Sequence, residues 1–344
     1  MGSIWIRYIL PAFSDRLHII GLVDFRENIL HQQAEILGIP QASRFASMDA
    51  AFRAIANRQI SAEICIVVLP PSTHRAAVLG AADLGLDILC EKPIADTWES
   101  TVQLYREVRR RDIRMQVVQN YRFTAQALAF RTLLREGTYG ELNYLIARFA
   151  ADYRRWGSWG AEFRHEITHP LLLEAAVHHF DQLRNFAGAD FDWISGQDWR
   201  PPFAATGFRG ECCALFLGAM TNGVKVMYEG SAVTAGPNHD WEHEIYRAEC
   251  EGGVYVLRSD GRIVRRTATT VETFSPADIL GAHPSWTRHQ AIVSQFLDWL
   301  DYGTKPETHL EDNLRTCAAV FAAIEAAETG RRISVTQRIS EAVA

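Results

Sequence analysis

Three separated stretches of this chain carry side chains that can polarise an oxygen and move a proton. Glu91-Lys92-Pro93 follows Cys90 at the carboxyl end of a short apolar run. Asn120-Tyr121-Arg122-Phe123 closes a second run. Glu174-Ala175-Ala176-Val177-His178-His179-Phe180-Asp181 has a helical pattern. An imidazole titrates near neutrality, so His178 or His179 can serve as a general base. Glu174 lies one helical turn before His178, which places the two on one helix face. A lysine at a strand's carboxyl end faces the crevice where open α/β sheets take their ligands. A fourth stretch, His165-Glu166-Ile167-Thr168-His169, matches the H-E-x-x-H pattern of zinc proteases. That chemistry needs both histidines on one face of a continuous helix. Pro170 biases His169 away from helical geometry, and Ile167 and Thr168 are weak helix formers. The reading here is therefore no metal; His165 and His169 line a pocket or pair with acids.

The elements that must position these groups are legible from periodicity. The first 120 or so residues alternate strand-like and helix-like runs, which implies a doubly wound parallel sheet. Strand-like are Leu17 to Asp24, Ile64 to Leu69, Ile88 to Cys90 and Met115 to Gln119. Ile64 to Leu69 is continuously apolar, as in a strand buried on both faces. Helix-like are Glu27 to Leu37, Met48 to Asn57, Pro71 to Leu84 and Asp96 to Arg110. Beyond that point the rhythm changes. A helix over Thr124 to Glu136 and a strand over Leu142 to Ala150 are followed by alternating runs and turn dipeptides between about 208 and 270. These runs read as an antiparallel meander. Two helices follow, His289 to Leu300 and Leu310 to Glu328. The expected organisation is a Rossmann-type dinucleotide-binding domain over 1–121, then an α+β domain with a large open antiparallel sheet over 122–344. The last helices are expected to pack back on the first domain.

Dinucleotide-binding domains open with a strand, then G-x-G-x-x-G and a helix, with an acid about 20 residues further on for the ribose hydroxyls. Asp24 suits that acid, with Arg26 beside it leaving NADP open as an alternative to NAD. Gly2 falls at the place of the third glycine, before a helix-like segment from Ile4 to Phe13. The central strand and the first two glycines would precede Met1, so the natural chain is expected to start upstream of it.

Together the three stretches resemble the Gfo/Idh/MocA family, relatives of glucose–fructose oxidoreductase and inositol dehydrogenase. The resemblance covers nearly the whole chain after residue 4. It implies an NAD(P)-dependent oxidoreductase that transfers a hydride between a nicotinamide cofactor and a sugar, polyol or similar hydroxylated small molecule. Lys92 would hydrogen-bond the substrate oxygen and stabilise developing alkoxide. His178 would be the general base, and Glu174, where relatives carry Asp, would orient it. The Lys92–Pro93 peptide would be cis. Cofactor contacts would come from Gly2, Asp24, Arg26, Pro70, Pro71, Thr73, His74, Glu91, Lys92, Pro93 and Asn120. Substrate contacts would come from Lys92, Arg122, Tyr153, Trp159, His165, His178 and His179, with pairing to an acid the alternative for Arg122. Tyr153, Trp156 and Trp159 suggest a sugar-stacking wall, and the loops Tyr153 to His169 and Pro237 to His243 would shape the pocket. The competing reading is a non-enzymatic sensor or scaffold with a crippled cofactor site.

Bulk properties narrow the field further. The chain has 344 residues, 48% of them apolar and 22% charged, with a formal net charge of -6. A mildly acidic chain without a basic stripe argues against a nucleic-acid partner. No segment reaches the ~18 apolar residues of a membrane span, and Arg7 interrupts the apolar start. Six cysteines without a C-x-x-C pair point to a reducing compartment, hence the cytoplasm. A homodimer or homotetramer through the C-terminal sheet is expected, with Val224 to Glu229 near the contact.

Overall fold

The computed structural model describes residues 1–236, 241–281 and 284–344. The chain forms two compact units: Met1–Val118 with His289–Asp312, and Gln119–Arg288 with Asn313–Ala344. No helix among the described residues is long and apolar enough to cross a membrane.

In the first unit the parallel strands fall into two sheets. Strand β1 (Leu22–Val23) pairs with β2 (Arg44–Phe45), and β3 (Ile64–Val67), β4 (Asp87–Cys90) and β5 (Met115–Val117) lie side by side in that order. The strand expected from Leu17 is thus two residues long, and β1 and β3 do not pair with each other. Ile64, Cys65 and Ile66 are only half-buried, unlike a strand covered on both faces; among the described residues no strand neighbours the edge of β3 away from β4. Helices Glu27–Leu37, Met48–Ala56, Pro71–Asp83 and Trp98–Arg110 connect the strands. Gly38 ends the first of these at φ 66°, a left-handed position that costs glycine nothing. Ser47 and Thr97 cap two others by accepting backbone N–H bonds. The helical run over 2–13 includes a π-helical turn, Trp5–Ile9, and buries Trp5, Ile6, Ile9, Leu10 and Phe13.

The second unit is built on a nine-stranded sheet. Its strands are β6 (Leu142–Ala150), β7 (Phe191–Trp199), β8 (Cys213–Met220), β9 (Lys225–Ser231), β10 (Ile245–Cys250), β11 (Gly253–Leu257), β12 (Ile263–Arg266), β13 (Val271–Phe274) and β14 (Ile333–Ser334). They lie in the order β13-β12-β11-β10-β6-β9-β8-β7-β14. The expected meander is interrupted: β6, which precedes it in the chain, inserts between β9 and β10 and runs parallel to β9. Alternation over 208–270 shows which residues form strands, not which strand enters between them. One face of the sheet packs under the helix Val177–Ala187, where Phe180 meets Phe191, Phe216 and Tyr228.

Candidate functional site

The first unit gathers its chemistry at the carboxyl ends of its parallel strands. Asp24 follows β1, Pro70 and Pro71 follow β3, and Glu91-Lys92-Pro93 follows β4. The Lys92–Pro93 peptide is cis. Burial alone would raise the Asp24 pKa, but hydrogen bonds from the Arg26 guanidinium at 3.0 and 2.9 Å and from its backbone N–H more than offset this, leaving the carboxyl below its usual range. The Arg26 guanidinium covers the Asp24 carboxylate just beyond the end of β1. Around Gly2 an added Cβ would meet no protein atom within 4 Å, so room remains at the start of that helical run.

Several residues expected to line the cofactor make hydrogen bonds within the protein. His74 is fully buried, with Nδ1 2.9 Å from the Pro93 carbonyl oxygen and Nε2 2.8 Å from that of Leu69. It ties the end of β3 to the turn that carries Lys92, and neither ring nitrogen is left for a ligand. The Thr73 hydroxyl turns back to donate to the Pro70 carbonyl at 2.8 Å. Glu91 accepts the indole N–H of buried Trp5 at 2.9 Å, and Trp5 meets His289 edge-on at 5.6 Å. The sequence reading missed Trp5 and His289. The signal was a tryptophan on the buried face of an apolar helix, whose N–H needs a partner.

In the second unit His178 lies on the helix Val177–Ala187, 5% exposed, its ring stacked on Tyr121. Trp241 approaches His178 edge-on at 6.3 Å. Glu174 sits within a π-helical turn, Leu171–Ala176, rather than in a regular α-helix. The wider turn changes the phase on which a shared α-helical face depends. The Glu174 carboxylate accepts from Arg164 Nε at 2.8 Å and is almost fully buried. Asn120 is buried in the 3₁₀ turn Asn120–Phe123.

Expected substrate contacts at Arg122, His179 and His165 are corrected. Arg122 forms a buried bidentate pair with Asp181, at 2.7 and 2.6 Å, and Thr316 donates to the same carboxylate at 2.8 Å. That arginine is a structural tie. His179 is fully buried between the Tyr228 hydroxyl, at 2.9 Å, and the Glu244 carboxylate, at 3.2 Å. His165 is also fully buried, with Nδ1 2.6 Å from the Gly207 carbonyl oxygen and Nε2 accepting the backbone N–H of Trp159 at 3.3 Å. Gly207 and Gly210 allow that loop its close approach, since an added Cβ would lie 2.0 Å from Arg154 O and 2.3 Å from Ile167 O.

The zinc-protease pattern is not realised. His165 lies in a four-residue helix, Phe163–Glu166, while His169 lies beyond it at φ 49°. The aromatic cluster in this region has a different membership from the expected wall. Tyr153 stacks on Trp159 at 5.2 Å, and Trp241 joins both, with Arg164 over its ring at 5.9 Å. Trp159 is 1% exposed, so it backs the wall rather than touching a ligand. Trp156 stands apart beside His165. Of the expected loop Pro237 to His243, residues 237–240 lie outside the described residues.

The parallel strands followed by a large mixed sheet define a Rossmann-fold oxidoreductase architecture. Residues 2–119 match the model of the Gfo/Idh/MocA oxidoreductase family, described by its NAD-binding Rossmann fold. Over 347 aligned residues the chain is 33% identical to the uncharacterized protein y4oX of Sinorhizobium fredii, covering 98% of this chain and 93% of that one. It is 24% identical to a D-apiose dehydrogenase of Paraburkholderia graminis over 96% of this chain and 86% of that one. Among solved structures, an oxidoreductase from Agrobacterium radiobacter in complex with NAD+, L-tartaric acid and magnesium superposes with a TM-score of 0.82 at 20% identity, covering 95% and 94% of the two chains. The chain belongs to the Gfo/Idh/MocA family and is an NAD-dependent oxidoreductase.

Proposed function

We propose that this protein is a dehydrogenase that moves a hydride between NAD and a secondary alcohol carbon of a sugar, polyol or related hydroxy compound. The observation that carries the reading is the placement of Asp24, Pro70 and Lys92 at the carboxyl ends of parallel strands, the edge at which such sheets bind dinucleotides. Bound NAD supplies the hydride acceptor or donor. Asp24 takes the adenosine ribose hydroxyls and disfavours the extra phosphate of NADP. Lys92 donates to the substrate oxygen and favours its alkoxide character. His178 takes the hydroxyl proton in oxidation and returns it in reduction. Glu174, itself oriented by Arg164, is a positioning residue for that segment. Tyr153 and Trp241 offer ring surface to the apolar face of a sugar. The substrate class also draws on the D-apiose dehydrogenase and on the hydroxy acid bound in the Agrobacterium structure.

The cofactor-binding domain is read as 1–121 and the substrate domain as 122–344, with the C-terminal helices returning to the first. The reading extends to a homo-oligomer in the cytoplasm. None of the six cysteines is disulfide-bonded, as in a reducing compartment. Leu215 and Leu217 of β8 and Met227 of β9 are exposed, and Leu217 pairs directly with Met227 across the strands. Such an apolar stripe suits a second copy of the same sheet.

NADH titration followed by fluorescence, then a screen of sugars, polyols and hydroxy acids for absorbance change at the nicotinamide band, tests the proposal. Saturable binding with turnover of a hydroxylated substrate is expected. Binding of NADH with no turnover across the screen would overturn the substrate class, and no binding of NADH would overturn the whole reading.

A further inference from the structure

His169 has no part in the site described above, yet its ring nitrogens face three carboxylates. Its Nδ1 lies 2.7 Å from Asp198 Oδ2 and 3.5 Å from Glu211 Oε2. Its backbone N–H donates to the same Glu211 oxygen at 3.0 Å, and its Nε2 lies 3.5 Å from Glu328 Oε1. The three carboxylates come from three places: β7, the loop before β8, and the end of the helix Leu310–Thr329. The Asp198 side chain is 2% exposed. Among the described residues, no lysine or arginine pairs with Asp198, Glu211 or Glu328. A single imidazole therefore faces three acids, two of them on one ring nitrogen that carries at most one proton.

We infer that His169 Nδ1, Asp198 and Glu211 form a binding site for a divalent transition-metal ion, with Zn²⁺ the best match. One nitrogen and two carboxylate oxygens are a zinc or manganese donor set, whereas calcium and magnesium take oxygen alone. The three ligand atoms lie within 4.8 Å of one another. Ligands held about 2.1 Å from a tetrahedral ion sit roughly 3.4 Å apart. The Nδ1 to Glu211 separation already has that value, and Asp198 must withdraw by less than about 1 Å once the shared proton leaves. Glu328 then occupies the position of the outer carboxylate that accepts the other ring N–H of a metal-bound histidine and fixes its orientation. Glu211 and Glu328 are partly exposed, so the ion has an entry path and water can fill the fourth position. The bound ion staples the segment before Pro170, and with it the turn carrying Glu174, to β7 and to the loop before β8.

Protons compete for the same nitrogen. Burial lowers the His169 pKa, but Asp198 first and then Glu211 and Glu328 raise it further, leaving it above its ordinary value. Metal affinity must therefore climb with pH.

The test is calorimetric titration of ZnCl₂ into the full chain after chelator treatment and removal of the chelator. One equivalent binding in the micromolar range at pH 7.5 is expected, about tenfold or more weaker at pH 5.5. Glu211→Gln, at a half-buried position, should weaken binding roughly tenfold or more while leaving the metal-free melting temperature in place, and His169→Ala should abolish it. Cys213→Ser should change nothing. No uptake by the unaltered chain, or uptake that survives both Glu211→Gln and His169→Ala, overturns the site.

Discussion

The imidazole of His178 lies flat on the phenol ring of Tyr121, with centroids 4.1 Å apart and planes 14° from parallel. Burial first, and then the charges of Glu244 and Glu242, push the Tyr121 pKa well above its ordinary value, so the phenol stays neutral. A neutral π face favours a cation set against it. Protonation of His178, the step proposed for alcohol oxidation, therefore gains from the stack. Tyr121→Leu is expected to lower kcat about tenfold and to shift the acidic limb of the pH–rate profile downward in pH, because the imidazolium loses support while NADH affinity stays unchanged. Tyr121→Phe keeps the ring and should retain most activity. Equal losses in the two variants would assign the effect to the hydroxyl instead.

The proposed chemistry rests on Lys92 and His178 in different ways. His178→Gln should cost roughly 10² to 10⁴ in kcat with NADH binding intact, as for removal of a general base. Lys92→Met should lower kcat/KM at least as far, and Lys92→Arg should not restore it, since a planar fork cannot replace a compact ammonium. Stopped-flow turnover together with NADH fluorescence separates the two quantities. Unchanged turnover in either variant would remove that residue from the mechanism.

The sequence read the elements more readily than their assembly. Helix boundaries came within a residue or two wherever Gly38, Gly137 or Ser47 punctuated them, because capping is local chemistry. The insertion of β6 beside β9 was invisible, since strand order depends on contacts distant in the chain. The placement of Lys92 just after a strand and of His178 on a helix was legible from their motifs. His165 and His179 were misread, and Arg122 took its alternative of pairing with an acid, for one common reason. A polar side chain in a motif announces a need for partners, and only the fold shows that Asp181, Gly207 and Glu244 meet that need internally. The π-helical turn at Leu171–Ala176 left no mark that spacing could detect, and it is what disturbs the Glu174 to His178 phase.

The Arg122–Asp181 pair carries a stability prediction. Both side chains are buried, and Thr316 adds a third hydrogen bond. Asp181→Ala leaves a guanidinium buried without its carboxylate and should cost about 3–5 kcal/mol in urea unfolding. The double change Arg122→Met with Asp181→Leu should cost clearly less, because no uncompensated charge remains. Equal losses would show that the pair's contacts with its neighbours, rather than its charge balance, set the cost.

Leu217→Asp addresses the exposed stripe on β8. The residue is 58% exposed, so the substitution should leave the isolated chain's melting temperature within a few degrees. If two copies meet through this face, a buried carboxylate with no partner should shift the assembly toward monomer by at least about tenfold in dissociation constant. Sedimentation velocity reads the outcome directly. An unchanged sedimentation profile in an oligomeric protein would move the interface elsewhere.

Glu242 gives the chain a built-in loss of stability with rising pH. Its carboxyl is pushed up to about 7 by burial, with Glu244 adding repulsion and the Arg288 ion pair only partly offsetting both. The unfolded chain releases this proton near the ordinary value of 4.5. Between these values the folded form holds more protons than the unfolded form, so stability must fall as pH rises. The loss begins above 4.5 and is complete once the folded carboxyl has ionised, above about 7. Glu242→Gln keeps the shape and removes the charge. It should be stabilising at pH 8 by on the order of 1–3 kcal/mol relative to the unaltered chain, and nearly neutral at pH 4.5. Urea unfolding at the two pH values measures the difference. A variant that is equally stable relative to the unaltered chain at both would show that Arg288 neutralises Glu242 fully in the folded state.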